Sequence, residues 1–278
     1  MAAVNKGCGG ADRAASSSSS TDPGSSPTDT PATQRASDAQ QRAPLTIVCI
    51  SDTHGSHNKV ALPPGDVLVH AGDFTRFGKR EDAIAFNEWL GRQPYTHKLV
   101  VNGNHEANAM WKREVRQLLF NATVLIDESC SVEGWKFDGT QFYWPTNGDN
   151  PNYQRIAPAT DVVVAHGPCR GFVDGGLGCS SLANHLTNRV RPLLVISGHI
   201  HQAHGVARGS MLSHDGGPAE CVYINAAACK NGYSIGWDAI AVMLSDDRHG
   251  SVMCAIHPEQ PLDGMTTARQ QVAAAGSS

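Results

Sequence analysis

Residues 45–54 read L-T-I-V-C-I-S-D-T-H, an apolar run that stops at two metal-ligand residue types, Asp52 and His54. A short apolar run rich in β-branched side chains, bounded by polar residues, predicts a buried strand. Asp52 and His54 stand two apart, and on an extended or loop segment that spacing points both side chains the same way. The pattern recurs along the chain. Residues 66–70 (D-V-L-V-H) lead into A-G-D with Asp73, and residues 98–101 lead into N-G-N-H-E with Asn104, His105 and Glu106. Residues 161–165 (D-V-V-V-A) lead into H-G-P with His166, and residues 193–197 (L-L-V-I-S) into G-H-I-H with His199 and His201. In α/β sheets, ligands gather beyond the carboxyl ends of the strands. Five separated segments are therefore expected to converge on one place.

Helical patterns are predicted at residues 80–90, around 109–119 and at 182–190. Later runs at 221–225, 239–244 and 251–256 read as strands without long helices between them. Strand–helix alternation predicts an α/β domain, and runs this apolar suggest sheets covered on both faces. Residues 1–43 are low in complexity, with serines at 16–20, and carry too few large apolar side chains to offset ordering entropy. They are expected to be disordered, residues 44–257 to form the domain, and residues 258–278 to be a flexible tail.

Of the 278 residues, 40% are hydrophobic and 17% charged, a balance that fits a globular enzyme better than a disordered or fibrous protein. The formal net charge of -4 gives no global pull toward nucleic acid. Any phosphate-bearing substrate would then have to be captured by local charge, and bound metals are the obvious source. No apolar stretch approaches the roughly 18 residues that would span a bilayer, and the start of the chain has no apolar signal-peptide region. The eight cysteines include no C-x-x-C pair and read as reduced structural thiols. The expected location is the cytoplasm. Oligomeric state is not legible.

The donors Asp52, His54, Asp73, Asn104, His166, His199 and His201 form a mixed nitrogen and oxygen set that suits Mn, Fe, Zn, Co or Ni rather than a thiolate site. Seven donors are too many for one ion. They suggest two divalent metal ions roughly 3.5–4 Å apart that share a carboxylate. Such a pair lowers the pKa of a bridging water, so a hydroxide nucleophile exists near neutral pH, and a positioned imidazole can protonate the leaving oxygen.

In these blocks the chain resembles the calcineurin-like metallophosphoesterase family, whose pattern runs D-x-H, G-D, G-N-H-E/D, H and G-H-x-H. The resemblance implies a four-layer αββα sandwich, two facing mixed β-sheets flanked by helices. It also implies roles: Asp52, His54 and His201 at one metal, Asn104, His166 and His199 at the other, and Asp73 bridging both. His105 would be the proton donor, with Glu106 orienting it. Residues 70–75 (H-A-G-D-F-T), 94–106 and 223–226 (Y-I-N-A) look like the small metallophosphoesterase-domain-containing branch, related to class III cyclic nucleotide phosphodiesterases. That branch implies phosphodiesterase activity on a small phosphate ester or nucleotide, usually with Mn. Some of its members carry Gly where His199 stands and hold nucleoside monophosphates with weak activity, whereas this chain keeps the histidine. A nucleotide-binding scaffold on the same fold and a phosphomonoesterase are the alternative readings. The protein Ser/Thr phosphatase branch shows Asp-Arg-Gly after its G-D block, and here residues 74–78 read F-T-R-F-G instead.

The remaining histidines read as surface or satisfied core residues, with His70 and His204 near enough to the blocks to support a ligand. Trp135, Phe142, Tyr143 and Trp144 are candidates for stacking on a base, although such aromatics more often fill a core. Arg76 and Arg170 follow ligand blocks and are candidates for phosphate contact.

Overall fold

Strand β1 (Leu45–Ile50) is buried nearly throughout, and its alternation sets the architecture. Leu45, Ile47 and Cys49 point into one apolar cluster, Val48 and Ile50 into another. A strand apolar on both faces lies inside a sheet covered on both sides. The computed structural model describes residues 42–144, 148–214, 216–246 and 252–256. Apart from Arg42 and Ala43, the N-terminal segment expected to be disordered lies outside the described residues, as does the C-terminal tail.

In the first sheet β1 pairs in parallel with β2 (Val67–His70), which leads through β3 (His97–Val100) to β4 (Thr123–Val124). On its other side β1 pairs antiparallel with β11 (Ile240–Asp246), which pairs with β12 (Val252–Ile256). The second sheet runs in the order β5 (Glu128–Val132), β6 (Trp135–Thr140), β7 (Val162–Ala165), β8 (Leu194–Ser197), β10 (Pro218–Asn225) and β9 (Gly205–Leu212). Its middle strands β6, β7, β8 and β10 are parallel, and its edges are antiparallel. Ile47, Val69, Val164, Ile196 and Ile224 belong to one buried cluster shared by the two sheets. Helix α1 (Arg80–Arg92) covers the outer face of the first sheet with Ala83, Phe86 and Leu90, at the spacing of a helical apolar stripe. Leu182 of a helix at Ser180–His185, with Leu186 and Val190, covers the second sheet. The result is the four-layer αββα sandwich.

Local structure departs from the sequence reading in places. The helix expected around 109–119 is a 3-10 turn at Lys112–Glu114 followed by one α-helical turn, Val115–Leu118. The helix at Ser180–His185 continues as a π-helical turn, Leu186–Val190, which ends at Arg191 in a left-handed conformation. Strands β4, β5, β6 and β9 were not predicted. β5 (E-S-C-S-V) is a largely exposed edge strand, and β9 carries two glycines, so neither shows the apolar run that marks the interior strands.

Arg42 fastens the sheets at the end away from the parallel strands' carboxyl termini. Its guanidinium donates to Asp161 at 2.9 Å and to Asp246 at 3.0 and 3.1 Å, and lies 3.6 Å over the Trp135 ring. At the opposite end, Ala228 donates to the Ser51 carbonyl at 2.8 Å, which joins the loop after β10 to the loop after β1. Five ligand-bearing loops lie at that end. No described helix is long and apolar enough to cross a membrane.

Candidate metal centre

The register places the loops. Ile50 pairs with His70 and His70 with Val100, so β1, β2 and β3 end level with one another. β7 and β8 are paired in the same way, and Gly198 donates to the His166 carbonyl at 2.9 Å. The turns beyond are tight. Asp52, His54, Asp73 and His199 all have positive φ, between 44° and 68°, a conformation costly for residues with a Cβ. Close packing around glycine explains part of this constraint. A Cβ on Gly103 would run into Asp73, and one on Gly198 into Ser51 Oγ and Asp52 Oδ2.

All seven predicted donors and His105 meet there. Asp52 Oδ1 lies 3.3 Å from His201 Nε2 and 3.9 Å from His54 Nε2, and the two histidine nitrogens are 3.3 Å apart. His166 Nε2 lies 3.3 Å from Asp73 Oδ2 and 3.1 Å from Asn104 Oδ1, and the His199 ring is 5.1 Å from the His166 ring. Among the described residues, three trios have ligand atoms within 4.8 Å of one another: Asp52–His54–His201, Asp73–His166–His199 and His54–Asp73–His105.

Backbone carbonyls orient the imidazoles. Nδ1 of His166 lies 2.7 Å from the Ala71 carbonyl, and Nδ1 of His54 lies 3.3 Å from that of Thr75. That contact fixes the tautomer that turns Nε2 inward, the usual support of a ligating histidine. His70 supports the site from behind. Its Nδ1 accepts the Gly72 N–H at 3.2 Å and its Nε2 faces Thr53 Oγ1 at 2.9 Å. Burial pushes His70 down to about 3, which suits a ring that must accept at one nitrogen. His204 faces the Ala227 carbonyl at 2.9 Å and stacks on Trp237.

The charges are mutually compensating. Burial alone would raise Asp52, but His166, His201 and His54 outweigh it and hold its carboxyl below the usual range. Asp73 is lowered too, against its burial, chiefly by His166. Burial opposes protonation of His166, yet Asp73 and Asp52 lift it to about 9. Burial keeps His54 and His199 at about 4, so both are neutral with free lone pairs near pH 7. Asp52 Oδ1 is fully buried without a hydrogen-bond partner, in a ring of imidazole nitrogens. An orphaned carboxylate oxygen there fits a cation, and the donor set fits divalent ions of the first transition row.

Other residues fall differently from expectation. Glu106, read as orienting His105, instead accepts the backbone N–H groups of Asp73, Thr75 and Gly103. Trp135 is fully buried in the core and cannot stack on a ligand, and the Tyr143 hydroxyl donates to Asp127 at 2.6 Å. Phe142 lies 4.8 Å from the His199 ring, with Trp144 against it. Arg170 turns to its own loop, 3.4 Å from the Gly176 carbonyl, whereas Arg76 stands at the site. Sequence reasoning passed over Phe77 and Tyr233, whose rings lie 5.5 Å from His105 and 4.4 Å from His54. The signal for Phe77 was its place four residues after Asp73, while nothing local marks Tyr233.

Two facing mixed sheets whose strand ends gather carboxylates, an amide and imidazoles define a metal-dependent phosphoesterase. The chain belongs to the calcineurin-like phosphoesterase family, whose profile matches residues 45–203. It is similar to the human metallophosphoesterase domain-containing protein 1, 34% identical over 227 residues, which cover 67% of each chain. A UPF0046 protein of Caenorhabditis elegans is 34% identical over 221 residues, covering 69% of this chain and 72% of its own.

Proposed function

We infer that the protein hydrolyses phosphodiesters, cyclic nucleotides and aryl diesters among them, with two divalent ions of which Mn is the first choice. The observation that carries this reading is that the trios Asp52–His54–His201 and Asp73–His166–His199 lie side by side. Asp52, His54 and His201 would hold one ion, Asn104, His166 and His199 the other, and Asp73 both. Bound there, such ions supply positive charge for the phosphoryl oxygens and an activated water.

The chain's own part is to place charge and protons. Hydrolysis adds water to phosphorus, breaks one ester P–O bond and needs a proton on the departing oxygen. His105 is the group for that proton. Its Nε2 lies 3.8 Å from Asp73 Oδ2, on the side of the reacting centre. Its Nδ1 lies 2.9 Å from the Phe77 N–H and 3.0 Å from the Thr75 carbonyl. In a protonated ring Nδ1–H donates to the Thr75 carbonyl, and the second proton, on Nε2, is the one a leaving oxygen can take, which leaves a neutral imidazole. Buried cysteines that form no disulfide, Cys169, Cys179 and Cys229 among them, suit a cytoplasmic setting.

The purified protein supplied with Mn is expected to cleave an aryl phosphodiester faster than the matching monoester, and Asp73→Asn to abolish the activity. A folded wild-type protein inactive on the diester with each of Mn, Fe, Co, Ni and Zn would contradict the reading. Tight binding of a nucleoside monophosphate without turnover would favour a nucleotide-binding role instead.

A further inference from the structure

We propose that Phe77, Tyr233 and Arg76 form the subsite for the leaving group, and that this subsite selects esters whose departing alcohol carries a planar aromatic group. The proposal rests on the phosphodiesterase reading and deepens it.

Backbone strain points to these residues. Among the described residues eleven other than glycine have positive φ; four are predicted ligands, and two are the aromatic residues Phe77 (60°) and Tyr233 (62°). For bulky aromatic residues this conformation is a genuine outlier, and strain of this kind concentrates at functional sites. The two come from loops more than 150 positions apart, yet their rings meet edge to face at 5.6 Å. The Arg76 guanidinium lies 5.7 Å from the Phe77 centroid and 5.9 Å from that of Tyr233, within cation–π range of both.

Position assigns the role. Phe77 lies nearly parallel to His105, at 21° and 5.5 Å, and its N–H lies 2.9 Å from His105 Nδ1. Tyr233 stands edge-on to His54 and 6.1 Å from His105. The rim therefore flanks the proton donor, the side from which the alcohol departs. Phe77 is 63% exposed, a large apolar surface left bare at the site. The loop beneath it is fixed: Arg76 N–H donates to Asp82 at 2.8 Å, and a Cβ on Gly78 would meet the His105 carbonyl at 2.8 Å. A bare, preorganised ring beside a cation is suited to stacking on another ring, which tolerates a range of planar groups.

The test compares benzyl and ethyl esters of one phosphodiester, whose leaving alcohols are of similar acidity. In wild type, kcat/KM is expected to favour the benzyl ester about tenfold, the scale of one aromatic stack. Phe77→Ala should bring the ratio near one, and Phe77→Tyr should restore it. Saturation transfer from the protein to benzyl alcohol, which reads binding without turnover, should weaken in Phe77→Ala alone. A wild-type ratio near one, or a Phe77→Ala ratio equal to wild type, overturns the subsite while leaving phosphodiester hydrolysis intact. Wild-type protein inactive on both esters and on aryl diesters overturns the phosphodiesterase reading itself, and the subsite with it.

Discussion

The Glu106 carboxylate accepts the backbone N–H of Asp73 at 2.9 Å. Through the same Oε2 it also takes the Gly103 N–H at 2.9 Å, and Oε1 takes the N–H and hydroxyl of Thr75 at 2.9 and 2.6 Å. One buried side chain thus ties the loop that carries Asp73 to the loop that carries Asn104 and His105. Burial, aided by the charge of Asp73, pushes the Glu106 carboxyl up to about 7. Glu106→Gln keeps the size but turns an NH2 toward one pair of donors. Removing acceptors from buried donors costs about 1–3 kcal/mol, and losing support behind a ligand costs about 10–100-fold in metal affinity. Calorimetric titration with Mn and thermal unfolding check both. An unchanged affinity would reduce Glu106 to space filling.

His105→Ala tests the proton donor. Turnover is expected to fall about 10²–10⁴-fold, most for substrates with poor leaving groups, while metal content stays at the wild-type level. The trio His54, Asp73 and His105 is compact enough to offer His105 as a ligand. Loss of an ion from the variant, measured by elemental analysis, would assign it that role instead.

Metal affinity should rise steeply with pH. With its pKa raised to about 9, His166 carries a proton at pH 7, and a cation must displace it. Each pH unit from 7 to 9 is then expected to tighten binding about tenfold, since one proton is released per ion bound at that site. His54 and His199, at about 4, are already neutral and contribute no slope in this window. Calorimetry in buffers of different ionisation enthalpy counts the protons. Release of none at pH 7 would contradict the charge arrangement.

Gly198→Ala should damage the site without replacing a donor. Its Cβ would overlap Ser51 Oγ and Asp52 Oδ2, and Asp52 would have to move. Mn affinity is expected to drop more than about tenfold, in the range seen when ligand support is lost. Gly148→Ala, whose Cβ meets nothing within 4 Å, is the control and should bind Mn as wild type does. Equal affinities in the two variants would show that the site tolerates displacement of Asp52.

The interior strands and the convergence of Asp52, Asp73 and the histidines were legible because burial and chemistry share one pattern. An apolar run such as β1 ends where the sheet ends, and the next polar residues, Asp52 and His54, sit against His201. What escaped had no such pairing of signals. β5 is polar because it is an exposed edge, and β9 is interrupted by glycine. Glu106 sits in a recognisable motif, but its bonds to Asp73 and Thr75 exist only after two loops are brought together. Tyr233 reaches the site by a long-range contact with His54 that no local periodicity encodes.

The most direct measurement is the metal stoichiometry of the purified protein by elemental analysis after Mn loading and desalting, for wild type, His199→Ala and Asp73→Asn. Close to two ions per chain in wild type, one in His199→Ala and fewer than one in Asp73→Asn is the predicted result. A wild-type protein that folds but retains no more Mn than the Asp73→Asn variant would contradict the account.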